Sequence, residues 1–318
     1  MRRESIAALV LLFLSPLIAE VLSGSTTPTE FINPIALVLL LGLYGTSALL
    51  IRELKVRQGL SYASILVLGF AYGVLEEGLA TKSFFDPYWP DCADFLCQFG
   101  RVLGVNWVWS TGLTIYHGFW SILVPIIIVE LFFPDIAEES WLSNKGVAVL
   151  LTALAIDVVV INAVISRYKI GISEVAGSLL AIVFLSCMAK LVHRTASGKL
   201  LPQKVLAAAS IATSLTSFLV FYVCSYTIKI PVLTVALLTV IAYIMYVLSK
   251  QLDITPVPSL SKAAIAVGPI IVLAVLTMLQ ALSGISELFI SSTAGVVLAA
   301  LVLSKGRSRL GSSTSLAN

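Results

Sequence analysis

Ten apolar stretches, each close to the length that crosses a bilayer, follow one another along this chain with only short polar joints between them. They fall at about 5–23, 34–51, 60–81, 106–132, 147–166, 170–192, 204–226, 231–250, 262–282 and 285–304. A helix needs about 20 apolar residues to cross the hydrocarbon layer. Lipid offers no partner for backbone N–H and C=O groups, so a run of this kind crosses as a helix that bonds its own backbone. Proline, glycine or charged residues bound each run. Composition agrees. Hydrophobic residues make up 58% of the 318 and charged residues 12%, where a soluble domain carries about 25% charged. The expected fold is all-α: a polytopic transmembrane helical bundle of about ten spans in the cell membrane, with the lipid bilayer as its first partner.

The basic residues orient the bundle. If the spans alternate, fifteen of the 20 lysines and arginines share a side with the N-terminus, and Lys82, Arg101, Arg167, Lys169 and Lys229 lie opposite. Cytoplasmic loops carry the excess of Lys and Arg, which places the N-terminus and C-terminus in the cytoplasm. The first run also has the basic start and apolar centre of a signal peptide, with "VLS" before Gly24 as a cleavage site. Its continuation past Pro16 favours an uncleaved span. A formal charge of +3, with no basic patch interleaved with aromatics, gives no nucleic-acid partner. All five tryptophans lie between Trp89 and Trp141. The chain thus divides into a polar, aromatic-rich part (1–145, spans one to four with the loop 82–105) and an aliphatic part (146–318, spans five to ten with a polar tail).

Acids inside such a chain need a reason. Glu76 and Glu77 end the third run, downstream of Gly69 and Gly73, a small-xxx-small pair that lets two helices approach closely. Glu77 follows Gly73 by four residues and so shares its face. A bare carboxylate deep in the bilayer costs at least ~2.5–3.5 kcal/mol, so a partner or water must compensate. The alternative is that both acids meet water at the headgroups. In the fourth run, Asn106, Ser110, Thr114, His117 and Ser121 recur at helical spacing and form one polar stripe. His117 lies about 16 Å below Asn106 on a regular helix, near mid-bilayer. A histidine there serves as proton relay, metal ligand or packing donor. Glu20 falls on the same side as the acid pair, Asp157 sits mid-span in run five, and Glu130 reaches the interface at the inner end of run four. Cys92 and Cys97 share the outer loop, where an oxidising compartment permits a disulfide and free thiols are the alternative. Cys187 and Cys224 read as packing residues. Ser210, Thr213, Ser214 and Ser217 form a packing face in run seven.

An adjacent glutamate pair at a helix end, with a membrane histidine on the next span, resembles the CAAX-protease and bacteriocin-processing (CPBP) family of intramembrane proteases. Its motifs run EExxxR, FxxxH and HxxxN or HxxxD. Glu76 and Glu77 match the acid pair, and His117 matches the histidine of the second motif. Thr81 stands at the arginine position with Lys82 after it, Leu113 stands at the phenylalanine position, and His193 has Ser197 where Asn or Asp is wanted. The resemblance covers about residues 70–121 and 193–197. It implies hydrolysis within the membrane.

Three functions are consistent with these residues. The first is a proton- or cation-linked carrier built on Glu77, His117 and Glu20, although no run is visibly broken at mid-membrane, as carrier spans often are. The second is an intramembrane hydrolase in which a carboxylate activates water and histidine assists, with or without metal. The third is an assembly protein whose polar stripe only fixes packing. The ligand class (small ion, lipid or peptide), the part played by metal and cofactor, and pairing with a second copy all stay open.

Overall fold

The computed structural model describes residues 2–92, 94–192, 198–254 and 257–314. The motif at His193–Ser197 lies outside the described residues. Among the described residues, ten helices are long and apolar enough to span a membrane: Arg3–Val21, Pro34–Gln58, Tyr62–Ala80, Trp107–Phe132, Asn144–Ile165, Ile172–Leu191, Gln203–Thr227, Pro231–Gln251, Ser259–Leu282 and Leu288–Ser308. The protein is a polytopic helical membrane protein. An even number of crossings puts the start of span one and the end of span ten on one face, called the N face below. The other is the far face.

Spans three and four form the centre. In their most apolar stretches 83% and 89% of residues are buried, against 11% in spans five and six, which lie at the periphery. The contact between three and four is close because glycine faces glycine. A Cβ at Gly69 would stand 2.7 Å from the Gly118 Cα, and one at Gly73 3.0 Å from the Thr114 Cα. The serine face of span seven packs as its sequence suggests, with the Ser210 hydroxyl donating to the Ile265 carbonyl on span nine at 2.6 Å.

Six spans contain a stretch of π-helix, at Leu17–Val21, Leu41–Gly45, Leu75–Ala80, His117–Leu123, Ile161–Ile165 and Leu219–Cys224. The i→i+5 bonds Leu22 N–H to Leu17 O, Thr81 N–H to Glu76 O and Ser166 N–H to Ile161 O mark them. Each widened turn re-aims the following side chains and is a recurrent feature of functional sites. A π turn changes hydrogen bonding without changing apolar composition, so the residue pattern carries no sign of it.

At the N face a buried ion network joins spans two, three, four and nine. Lys55 Nζ donates to both oxygens of Glu130, at 3.1 and 3.2 Å. The Tyr62 hydroxyl donates to Glu130 at 2.5 Å and accepts from Lys262 Nζ at 2.7 Å. Arg52 donates to the Ile136, Ala137 and Glu139 carbonyls and stacks over the Trp141 ring at 3.5 Å. Glu130, at the inner end of span four, is therefore enclosed by protein rather than open to water. Its side chain is fully buried, because Lys55 and Tyr62 come to it from neighbouring elements that the linear sequence does not place beside it.

Candidate functional site

The acid pair and the histidine meet. His117 opens the π stretch of span four and Glu76 and Glu77 lie in that of span three. The glycine contact at Gly73 brings the two backbones together there, since a Cβ at Gly73 would be 3.2 Å from the His117 Cβ. His117 Nε2 lies 2.9 Å from Glu77 Oε1, and Nδ1 lies 3.2 Å from both Ser121 Oγ and Glu76 Oε2. All three side chains of the triad are nearly or fully buried. Glu77 is further held by the Thr81 hydroxyl at 3.1 Å and by the Ser83 hydroxyl. Glu76 Oε2 has no hydrogen-bond partner of good geometry. Tyr44, Tyr72 and Tyr116 surround the imidazole, with ring centroids 5.5 to 5.9 Å away. An imidazole between two carboxyl groups gives each of these buried polar groups a partner away from water.

Glu20 joins this region from the π stretch of span one. It accepts from the Tyr44 hydroxyl at 2.5 Å and the Thr26 hydroxyl at 2.6 Å. The four polar side chains Glu20, Glu76, Glu77 and His117 line one cavity of about 930 Å³. Its rim includes the far-face loop residues Ser25, Thr26, Trp89 and Asp91, and its walls come from both the first and the second half of the chain.

The rest of the polar stripe separates into two roles. Ser121 belongs to the site through His117. Asn106 and Ser110 do not line the cavity. Asn106 caps span four, accepting from Trp109 N–H at 3.0 Å while its amide donates to the Leu96 and Cys97 carbonyls. Ser110 donates back to the Asn106 carbonyl at 2.6 Å. Thr114 lies at the crossing with Gly73. Asp157 is elsewhere, buried on span five against Gly42, where a Cβ would stand 2.9 Å from its carboxyl carbon. The disulfide permitted in the loop is not formed. Cys92 and Cys97 are free and buried, and the Cys97 thiol points at the Cys92 carbonyl, 3.0 Å away. Cys187 is exposed on span six rather than packed within the bundle.

Tyr44, Tyr116 and Ser83 carry no sign in the sequence pattern, and Thr81 stands out there only at the motif's arginine position. A tyrosine near a glutamate in space leaves no trace in spacing. Thr81 and Ser83 sit four and six residues after Glu77, and the end of span three turns both hydroxyls onto it. Lys82 between them turns away with φ of 65° and donates to the Asn162 and Ser166 carbonyls at the end of span five. Burial lowers its pKa.

Glu76, Glu77 and His117 each offer a ligand atom, and these atoms lie within 4.8 Å of one another. The donor set of two carboxylates and one imidazole suits a divalent ion. Such an ion would have to take His117 Nε2 from Glu77, or Nδ1 from Ser121.

Comparison with known proteins places the chain among membrane proteins without assigning chemistry. The matching family is not that of the CPBP proteases, so that likeness stays one of motif. No curated protein and no solved structure matches the chain. The family model that does match covers residues 9–313, nearly the full length, and the chain belongs to this uncharacterized membrane protein family.

Proposed function

We propose that the protein is a proton- or cation-linked carrier whose binding site is Glu77, His117 and Glu76, with Glu20 at its edge. One observation carries this reading. The triad lies in a cavity whose lining includes far-face loop residues, while the N-face end of the same bundle holds the buried network of Arg52, Lys55 and Glu130. A site lined from one face, with a packed ion network toward the other, fits one state of an alternating-access cycle. A proton and a cation arriving in the cavity compete for the same carboxylates, and that competition links the two movements. Passage onward requires the N-face network to part. On the orientation that the basic bias favours, with the N face cytoplasmic, the cavity lies toward the outer side.

The test is uptake in sealed vesicles with an imposed proton gradient. The wild type acidifies or alkalinises the lumen in step with solute movement, and Glu77→Gln abolishes the coupling while the protein still inserts. A wild-type protein that moves no proton with any cation supplied would end this reading.

A second reading rests on the convergence of Glu76, Glu77 and His117, the residues that carry the CPBP resemblance. A water in the cavity beside Glu77 would lose its proton to that carboxylate and attack a scissile carbonyl; collapse of the tetrahedral adduct would break the C–N bond, and the leaving nitrogen would take the proton from Glu77 or His117. Cleavage of a membrane-embedded peptide by purified protein, lost in Glu77→Gln, would favour it over the carrier. Metal analysis of the same preparation decides whether an ion takes part.

A further inference from the structure

The lining of the cavity limits what it can hold, and this inference rests on the carrier reading for the cargo's role but not for its binding. Four carboxyl side chains, Glu20, Glu76, Glu77 and Asp91, line the cavity with one imidazole, and no lysine or arginine among the described residues joins them. Glu76 Oε2, on a side chain only 3% exposed, faces His117 Nδ1 at 3.2 Å and receives no hydrogen bond of good geometry.

The remaining wall is aromatic and aliphatic. Eight aromatic side chains line it, among them Tyr44, Trp89, Trp109, Tyr116 and Trp120. Two of these, Tyr116 and Trp120, stack on one another with ring centroids 5.4 Å apart.

Each ligand class meets this surface differently. An anion, such as a phosphate headgroup, would enter a space lined by four carboxyl groups, with no lysine or arginine to receive it and the one imidazole already held by Glu76 and Glu77. A bare metal ion would satisfy the carboxylates and leave most of the wall unused. A neutral apolar molecule would use the wall and leave the carboxylates unpaired. A cation that carries alkyl or aryl groups uses both, its charge on the carboxylates and its body against the rings, whose faces also attract positive charge. The volume fits a molecule of drug size. We infer that the cavity binds a hydrophobic organic cation, an onium ion or protonated amine bearing apolar groups.

Two ions of nearly equal size and opposite charge test this on the full-length protein in detergent. Tetraphenylphosphonium and tetraphenylborate are compared by equilibrium dialysis, with quenching of tryptophan fluorescence as the second readout. The phosphonium binds saturably and at least about tenfold more tightly than the borate. Glu20→Gln weakens phosphonium binding by about tenfold, and Glu20→Asp restores most of it. Borate binding as tight as phosphonium, or no saturable phosphonium binding, overturns the inference. The comparison on the wild type stands even if a Glu20 variant fails to fold. Transport is not needed for this readout. Saturable phosphonium binding without proton-coupled movement would remove the carrier and leave the cation site. Proton-coupled uptake of other solutes without phosphonium binding would do the reverse.

Discussion

His117 Nε2 lies 2.9 Å from Glu77 Oε1 across forty residues of chain. This contact turns two isolated polar residues on adjacent spans into one chemical unit. It exists because Gly69, Gly73 and Gly118 remove the side chains that would hold spans three and four apart.

A contact this short should be visible as energetic coupling. Glu77→Gln and His117→Ala each leave membrane insertion intact. Their effects on thermal unfolding and on cavity binding depart from additivity by about 1 kcal/mol or more, as expected for residues within one network. A double-mutant cycle measures this. Additive effects, seen only as lowered melting temperature, would mean the two residues share no function.

The glycine contact gives a second prediction. Gly69→Ala puts a methyl group 2.7 Å from the Gly118 Cα, so the two backbones must separate, at a cost of about 1–3 kcal/mol. Gly177→Ala on the peripheral sixth span meets nothing within 4 Å and leaves the melting temperature unchanged or slightly raised, because alanine favours helix. A comparison of the two melting curves checks both statements.

The N-face network should be intolerant of single changes. Lys55→Met leaves Glu130, a fully buried carboxylate, with one fewer cation, and such losses cost about 3–5 kcal/mol. Lys55→Met combined with Glu130→Gln recovers part of the stability, since neither charge is then left alone. Denaturation of the single and double variants in detergent would show this recovery, and a double variant worse than the sum of its parts would contradict it.

Asp253 supplies the pH prediction. It lies between spans eight and nine and accepts from the Tyr62 N–H at 2.8 Å and, more weakly, the Ala63 N–H at 3.5 Å, capping span three. Burial pushes its pKa up from 3.8 to about 6, against the lowering by those N–H groups. The folded protein therefore holds this proton more tightly than the unfolded chain. The stabilisation is fully present below pH 3.8 and is lost as pH rises through about 6, in total about 1–3 kcal/mol. Asp253→Asn keeps an acceptor for the Tyr62 N–H and cannot ionise. The stability of the wild type relative to this variant should fall between pH 4 and pH 6, measured as a difference in melting temperature. A relative gain over that range would refute the assignment.

What was legible in the residues follows from which interactions are local. Gly69, Gly73 and Glu77 recur at helical spacing and announce a shared face, and the face they share is the one that meets span four. The stripe from Asn106 to Ser121 was legible as a stripe but not as a site. Asn106 caps the fourth span where it begins and Ser110 bonds back to the Asn106 carbonyl, so only the deeper His117 meets the acids, with Ser121 against its ring. Glu130 was assigned to water because a carboxylate near the end of an apolar run commonly ends there. Its partners Lys55, Tyr62 and Lys262 lie on other spans, and no spacing within the fourth run could reveal them.

The sequence by itself determined that the chain crosses a bilayer about ten times, since hydropathy acts residue by residue and each span satisfies its own backbone. Tertiary structure alone decided which spans touch, where π turns re-aim side chains, and that Glu20, Glu76, Glu77 and His117 share one cavity. Those outcomes depend on the fit of helix surfaces separated by tens of residues, and apolar composition is nearly blind to fit.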